Sequence, residues 1–211
     1  IEAQDRALLQ TLSKDIDPRV RFYLGRLVWR FFDKWPEFIW NTLERWIAEI
    51  PSNNGSPGVL RGTLQNGWFW PLWKSDEKRA TTLIRRLRHE VASLKKDDLR
   101  QMVGDWLGIL WFRKEQEWCH ALLQEDIKAL PENIDELEGA EYTALELIMP
   151  RNAGTTSDED QRKRALAFLI ELISHSHSIL TTSQEEVNAL PPEKRPKELP
   201  PWVRQLANLV H

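Results

Sequence analysis

The sequence has little of what most catalytic and secreted proteins need. Its 211 residues include one cysteine, Cys119, and nine glycines. A single cysteine excludes an internal disulfide framework and favours a reducing, cytoplasmic compartment. The phosphate-binding patterns Gly-x-x-x-x-Gly-Lys and Gly-x-Gly-x-x-Gly are absent, as are Gly-x-Ser-x-Gly and His-Glu-x-x-His. The sequence therefore predicts a protein that is not an enzyme and that needs no cofactor and no metal.

Charge and hydropathy also exclude several classes of protein. A formal net charge of −3 supplies no overall field that would attract nucleic acid or an anionic membrane. No run of residues approaches the roughly 20 apolar positions of a membrane span, so we expect no integral membrane segment. The chain begins at Ile1 within a patterned segment, and we expect it to be a piece of a larger protein.

Helical periodicity dominates the pattern of apolar residues, and no sustained strand-like alternation occurs. Residues 19–33 carry apolar side chains on two faces, as expected for an interior helix. Asp17 and Pro18 supply standard start signals for that helix. The pattern predicts further helices at 37–50, 76–95, 97–113, 115–129, 133–148, 158–180 and 202–210. Segment 59–75 contains Gly62, Gly67 and Pro71, which predict one short helix followed by a loop.

Two segments of the chain show internal similarity. Leu24 to Trp29, followed by Trp40, Leu43 and Trp46, can be aligned with Val103 to Gly108, followed by Trp118, Leu122 and Ile127. Each segment predicts a helix–turn–helix unit of roughly 30–35 residues that must stack on neighbours to bury its apolar face. We therefore predict an all-α fold of stacked antiparallel helix pairs, with an irregular helical bundle as the alternative. The predicted organisation is a helical-repeat domain at 1–189, a proline-rich linker at 190–201 and a terminal helix at 202–211.

The string Asp17-Pro18-Arg19-Val20-Arg21 resembles the start of the second part of a HEAT repeat, where such a string lies at a turn and begins a helix. The resemblance implies a HEAT-like α-solenoid that acts as a protein-binding scaffold. Divergent, tryptophan-rich helical repeats are also similar to the sensor regions of bacterial STAND-class signalling ATPases. That resemblance implies binding of a trigger protein, with the nucleotide held by a separate domain.

Eleven tryptophans are the strongest positive feature of the composition. Five of them lie on helical stripes and are assigned to packing between repeats: Trp29, Trp40, Trp46, Trp106 and Trp118. The aromatic segment Trp68-Phe69-Trp70-Pro71-Leu72-Trp73 has three interpretations. It is a satellite core, an exposed hot spot for a protein partner, or a segment that dips into a membrane interface.

The predicted helix at 76–95 carries a basic face opposite its apolar stripe. Its members are Lys78, Arg79, Arg85, Arg86, Arg88, Lys95 and Lys96. This face could bind phosphates or an acidic protein, or it could be an ordinary solvated surface balanced by the acidic helix at 133–148. We predict a protein-interaction scaffold, with a nucleic-acid-binding repeat protein as the alternative. The predicted partner-binding residues are Trp68, Phe69, Trp70, Trp73, Arg85, Arg86 and Arg88.

Other reactive side chains favour structural roles. His175 and His177 point about 200° apart on a helix, so they cannot share one metal ion, and we expect them at a fraying helix end. Cys119 and His120 diverge by about 100°, and the thiol is expected to be a buried apolar group. The acidic clusters at 97–98 and 158–160 fall where helices should begin, where negative charge is favourable.

Overall fold

The computed structural model describes residues 2–52, 56–64, 69–92, 98–149, 158–191, 196 and 200–208. This part of the chain contains α-helices joined by turns and short 3-10 segments, and it contains no β-strand. The predicted all-α class is confirmed. The helices are α1 Glu2–Leu12, α2 Pro18–Val28, α3 Pro36–Ala48, α4 Ser56–Leu64, α5 Phe69–Ser75, α6 Glu77–Val91, α7 Asp98–Lys114, α8 Glu117–Lys128, α9 Ile134–Ile148, α10 Glu159–Ala189 and α11 Pro201–Asn208.

Acidic side chains cap the start of three helices. The carboxylate of Asp17 accepts a hydrogen bond from the backbone N–H of Arg19 at 2.9 Å, and Pro18 is the first residue of α2. Asp76 accepts from the N–H of Arg79 at 2.9 Å, and Asp158 accepts from that of Asp160 at 3.3 Å. These contacts satisfy backbone donors that have no partner within the helix. The start signals in the sequence therefore correspond to the observed helix starts.

Two predicted boundaries are wrong. The loop predicted after a short helix in 59–75 is helical from Phe69 to Ser75, which is α5. The helix predicted at 158–180 continues to Ala189, so His175 and His177 lie within α10 and not at a fraying end. The proline-rich stretch 190–201 ends at Pro201, which begins α11.

The chain divides into two compact units, Ile1–Leu99 and Arg100–His211. In the first unit seven of the thirteen residues of α3 are buried, and its side chains Ile39, Trp40, Leu43, Trp46 and Ile47 are at most 2% exposed. The indole N–H of Trp46 donates to the carbonyl of Ser13 at 3.0 Å, which satisfies the one polar atom that this side chain buries. Trp40 and Trp46 are therefore core residues, and their predicted role in packing between repeats stays a prediction.

Glycines bring α2 and α4 into close contact. A Cβ added at Gly25 would overlap the side chain of Thr63, and one added at Gly62 would overlap the ring of Phe22. The indole of Trp29 donates to the carbonyl of Thr63 at 3.1 Å across the same contact. These two helices therefore pack at a distance that only glycine permits.

The second unit repeats this arrangement between α7 and α9. A Cβ at Gly104 would overlap the carbonyl group of Glu136, and a Cβ at Gly139 would overlap that of Gln101. Trp106 and Cys119 are buried as predicted, and the ring of Phe112 lies 5.4 Å from that of Phe168 on α10. Helix α11 packs on α9 and α10 with Leu206 fully buried. Thus α2 contacts α4 in the first unit, and α7 contacts α9 in the second.

Candidate recognition surfaces

The aromatic segment is only partly available to a partner. Trp73 is 8% exposed and Leu72 is 1% exposed, because α5 packs against α6. Trp70 is half-buried. Trp68 and the side chain of Phe69 lie outside the described residues. Of the three interpretations of this segment, the burial of Trp73 favours a satellite core, and partner binding by the segment stays a prediction.

The basic face of α6 is partly neutralised by α3. The guanidinium of Arg79 bonds Glu44 at 2.8 Å and Glu37 at 2.9 Å. It also lies 4.8 Å from the ring centre of Trp40. The contacts with Glu44 and Glu37 raise the pKa of Arg79, and the hydrogen bond to Glu44 is the largest cause. Arg79 therefore joins α6 to α3.

The other arginines of this face differ in exposure. Arg85 and Arg86 are exposed, and Arg88 is half-buried. Arg86 borders a depression of about 380 Å³ that Glu44 and Asp76 also line. Acidic groups beside these arginines reduce the field that a phosphate backbone would experience.

A groove that the sequence did not predict lies between α2 and α4. Its volume is about 740 Å³, within the range of small-ligand and side-chain pockets. It is lined by Pro18, Arg19, Phe22, Tyr23, Gly58, Val59 and Arg61, which we call the α2–α4 groove. Nothing lies within 4 Å of the position that a Cβ of Gly58 would occupy, so the groove is open there. Space near Gly58 thus contrasts with the tight contact at Gly25 and Gly62.

Aromatic rings and cations border this groove. Phe22 and Tyr23 form an edge-to-face pair with ring centres 5.7 Å apart, and Tyr23 is 64% exposed. The arginines Arg19 and Arg61 are both exposed. Arg19 is held by Asp17, whose carboxylate it bonds at 2.8 Å, and this bond lowers the pKa of Asp17. Tyrosine and arginine are enriched in the energetic centres of protein interfaces.

The outer face of α2 continues from the groove. Leu27 is 48% exposed, although residues 19–33 are predicted to form an interior helix with apolar side chains on two faces. Arg26 and Arg30 flank it and are also exposed. The signal that could have located this surface is the spacing of Tyr23 and Leu27 on one helical face, with arginines on either side.

The remaining reactive groups form no site in the described part of the chain. The ring of His120 stacks on Trp111 with centres 4.3 Å apart, while Cys119 is buried. No group of three or more metal-binding side chains occurs in the described ranges. Among the described helices, none is both long enough and apolar enough to cross a membrane.

Carboxylates with raised pKa values occur on α7 and α9. Burial raises the pKa of Glu141 from 4.5 to about 7, and the neighbouring Glu138 adds to the rise. Burial also raises the pKa of Asp105, despite a hydrogen bond from Thr143 Oγ1, and Glu146 adds to the rise. Proton uptake by these groups accompanies folding, because burial disfavours the charged form.

This raised pKa predicts that Glu141→Gln increases the free energy of unfolding by an amount that depends on pH. The folded-state pKa lies above the unfolded value, so Glu141 destabilises the fold increasingly as pH rises from about 4.5 through 7. After allowance for its partial exposure, we expect the variant to raise the free energy of unfolding by about 1–2 kcal/mol at pH 8. Little gain should remain at pH 5. Urea denaturation at both pH values measures this, and an equal gain at both would contradict the proposed cause.

Comparison with known proteins supplies no relative for this chain. No protein-family model matches it, and neither a curated protein nor a solved structure matches it.

Proposed function

We propose that the chain is a non-enzymatic recognition module whose α2–α4 groove binds an acidic segment of a partner protein. The observation that carries this proposal is the groove itself: an open cavity with two aromatic rings in its lining and an arginine on each of its two helices. A partner segment that fits it has an aromatic or aliphatic side chain for the cavity and carboxylates beside that side chain. The apolar side chain supplies the affinity, and the carboxylates meet Arg61 and compete with Asp17 for Arg19.

The scaffold proposal draws support from the recurrence of one helix contact. Gly25 brings α2 against α4, and Gly104 brings α7 against α9, in the two segments that the sequence aligns with each other. Stacking of this kind is what a helical repeat requires. We accordingly propose a HEAT-like solenoid in which each unit presents its own surface, as in the sensor region of a STAND-type ATPase. The single, buried cysteine supports a reducing, cytoplasmic setting.

Synthetic peptides test the groove directly. We expect a fluorescent 12-residue peptide with a central Phe and flanking Asp and Glu residues to bind with Kd near 10–100 μM, roughly −7 to −5 kcal/mol. The same peptide with Lys and Arg in place of the acidic residues should bind at least about tenfold more weakly, because the rim is cationic. Fluorescence anisotropy measures both affinities.

Variants then locate the binding surface. Tyr23→Ala removes an exposed ring, and Gly58→Leu places a side chain in the open part of the groove; each should weaken binding at least about tenfold. Tyr142→Ala is the matched control, because Tyr142 is an exposed tyrosine of the second unit. If the acidic peptide binds no better than the basic one, or if Tyr23→Ala binds like Tyr142→Ala, the proposal fails.

Nucleic-acid binding is the alternative function, and the same variants test it. The exposed Lys78, Arg85 and Arg86 favour it. In that case a labelled DNA duplex would bind with an affinity that falls steeply with salt. Arg86→Glu would then weaken binding, whereas Tyr23→Ala would leave it unchanged.

A further inference from the structure

The turn between α1 and α2 borders another cavity of the first unit, with a volume of about 560 Å³. Its charged lining consists of Lys14, Asp15, Arg21, Arg45 and Glu49, and we call it the arginine pocket. Three cationic and two acidic side chains give this lining a formal charge of +1. The volume lies within the range of small-ligand sites.

Arg21 and Arg45 share one carboxylate in the wall of this pocket. Arg21 Nη1 forms an ion pair with Glu49 Oε2 at 2.7 Å, and Arg45 Nε lies 3.7 Å from Glu49 Oε1. The side chain of Arg21 is only 6% exposed. Arg45 Nη2 donates to the carbonyl and the hydroxyl of Ser13 at 2.7 and 2.9 Å, and both of these acceptors are neutral. The carboxylate of Glu49 therefore faces two guanidinium groups and carries the charge to offset one of them.

The pKa of Arg45 reflects this excess of positive charge. Burial lowers the pKa most, the charge of Glu49 raises it, and the charge of Arg21 lowers it again, so that the net change is a fall. Arg79 and Arg100 each contact two carboxylates, and their pKa values are raised. An anion bound beside Arg45 would supply the additional negative charge that the other two arginines already have.

Apolar side chains form the rest of the lining. They are Ile16, which lies in the turn, and Pro18, which is the first residue of α2. Ile16 is 96% exposed, more than any other large apolar side chain in the described ranges. A ligand that fits this lining has an apolar body as well as a charged group. Pro18 also lines the α2–α4 groove, and it is the one described residue common to both cavities.

We propose that the arginine pocket binds the carboxylate of a ligand whose apolar body lies against Ile16 and Pro18. A carboxylate carries one negative charge, which matches the formal charge of the lining, and its two oxygens suit the planar fork of a guanidinium. A phosphate monoester carries about −1.5 to −2 charges at neutral pH, so it would bring excess negative charge beside Asp15 and Glu49. The carboxylate belongs either to a free amphipathic acid or to the C-terminal residue of a peptide. Binding here does not require a ligand in the α2–α4 groove.

An NMR titration of the ¹⁵N-labelled full chain with N-acetyl-L-leucine tests the proposal. We expect a dissociation constant of about 1 mM and a shift of the Arg45 Nε–H signal. N-acetyl-L-leucinamide, which lacks the charge, should bind at least about tenfold more weakly. Inorganic phosphate should bind at least about threefold more weakly than the acid, because its charge and shape match the pocket less well.

An acetylated Ala-Ala-Ala-Leu peptide with a free C-terminus separates the two sources of the carboxylate. If the natural ligand is a chain end, this peptide should bind at least about tenfold more tightly than N-acetyl-L-leucine, because its backbone adds contacts. If the natural ligand is a free acid, the peptide should bind no more tightly. The peptide has neither an aromatic nor an acidic side chain, so failure of the α2–α4 groove would not affect its binding.

Two substitutions should change the affinity for N-acetyl-L-leucine in opposite directions. Glu49→Gln removes the competing carboxylate and should increase the affinity at least about threefold. Its control, Glu77→Gln, removes an exposed carboxylate outside the pocket and should have no effect. Ile16→Asp adds a negative charge at the rim and should reduce the affinity at least about fivefold, whereas Leu8→Asp, at another exposed apolar residue, should not.

Circular dichroism verifies that each variant keeps its helix content. Ile16→Asp should fold because Ile16 is almost fully exposed, so it tests the pocket even if the loss of Glu49 destabilises the first unit. Equal binding of the acid and the amide overturns the proposal, and so does tighter binding of phosphate than of the acid. A folded Glu49→Gln variant that binds the acid no better than the natural chain also overturns it.

Discussion

Replacing Arg100 with alanine is expected to lower the free energy of unfolding of the second unit by about 3–5 kcal/mol. The guanidinium of Arg100 donates a hydrogen bond to Glu136 Oε1 at 2.8 Å and forms an ion pair with Oε2 at 2.7 Å. The two side chains are only 10% and 3% exposed. Arg100 also donates to the carbonyl of Glu132 at 2.8 Å, which ties α7 to the turn before α9.

The size of this effect follows from the charge that would remain. Burial lowers the pKa of Arg100, but the hydrogen bond and charge of Glu136, with the charges of Asp135 and Asp126, outweigh it and raise the pKa. Without the guanidinium, Glu136 would stay buried beside Asp135 and would lose the cation that offsets its charge. An uncompensated buried charge is far more costly than an intact pair is stabilising.

Chemical denaturation followed by tryptophan fluorescence measures the change. Arg204→Ala is a suitable control, because Arg204 is an exposed arginine of the same unit. This substitution should change the free energy of unfolding by less than about 0.5 kcal/mol. Arg100→Lys keeps the charge but cannot match the forked geometry of the guanidinium. Its free energy of unfolding should therefore lie between those of the alanine variant and the natural chain. A loss below about 1 kcal/mol for Arg100→Ala would show that Glu136 is adequately solvated without its partner.

Much of the fold could be predicted because helix starts and apolar stripes are local properties. Asp17 and Pro18 begin α2 where the sequence indicated, and Pro36 begins α3. The α3 stripe, from Ile39 to Ile47, is buried as its spacing requires. These features depend only on residues within a few turns of one another.

The second helix of this segment, Phe69–Ser75, was missed because tertiary contacts outweigh propensity there. Pro71 falls in the first turn of α5, where the N–H that proline lacks would have no partner within the helix. Gly62 lowers helix propensity, but its missing side chain makes room for the ring of Phe22. Neither compensation can be recognised without knowing which helices meet.

The candidate groove could not be predicted for a related reason. Leu24 and Leu27 lie three residues apart on α2, yet Leu24 is 4% exposed and Leu27 is 48% exposed. The position of α4 decides between them, and periodicity within α2 carries no information about α4. Arg21 is a second example of the same limit. Its side chain is buried and forms an ion pair at 2.7 Å with Glu49, which lies 28 residues away and outside α2.

The close helix contact in the second unit leads to the other large prediction. Gly139→Ala is expected to lower the free energy of unfolding by about 2–3 kcal/mol, because the added methyl would meet backbone atoms of Gln101 and Asp105. Such atoms can withdraw only if α7 and α9 separate. For a chain of this size the loss corresponds to a fall in melting temperature of very roughly 4–12 °C in a thermal scan.

The matched control is Gly58→Ala, in which the same atom enters open space. Because alanine is the better helix former, this variant should gain about 0.5–1 kcal/mol. The two substitutions therefore have opposite expected signs for the same chemical change, and only their surroundings differ. If Gly139→Ala were as stable as the natural chain, α7 and α9 could not be in glycine-dependent contact. The contact between α2 and α4 would then have no equivalent between α7 and α9. The proposal of stacked repeats would lose its main structural support.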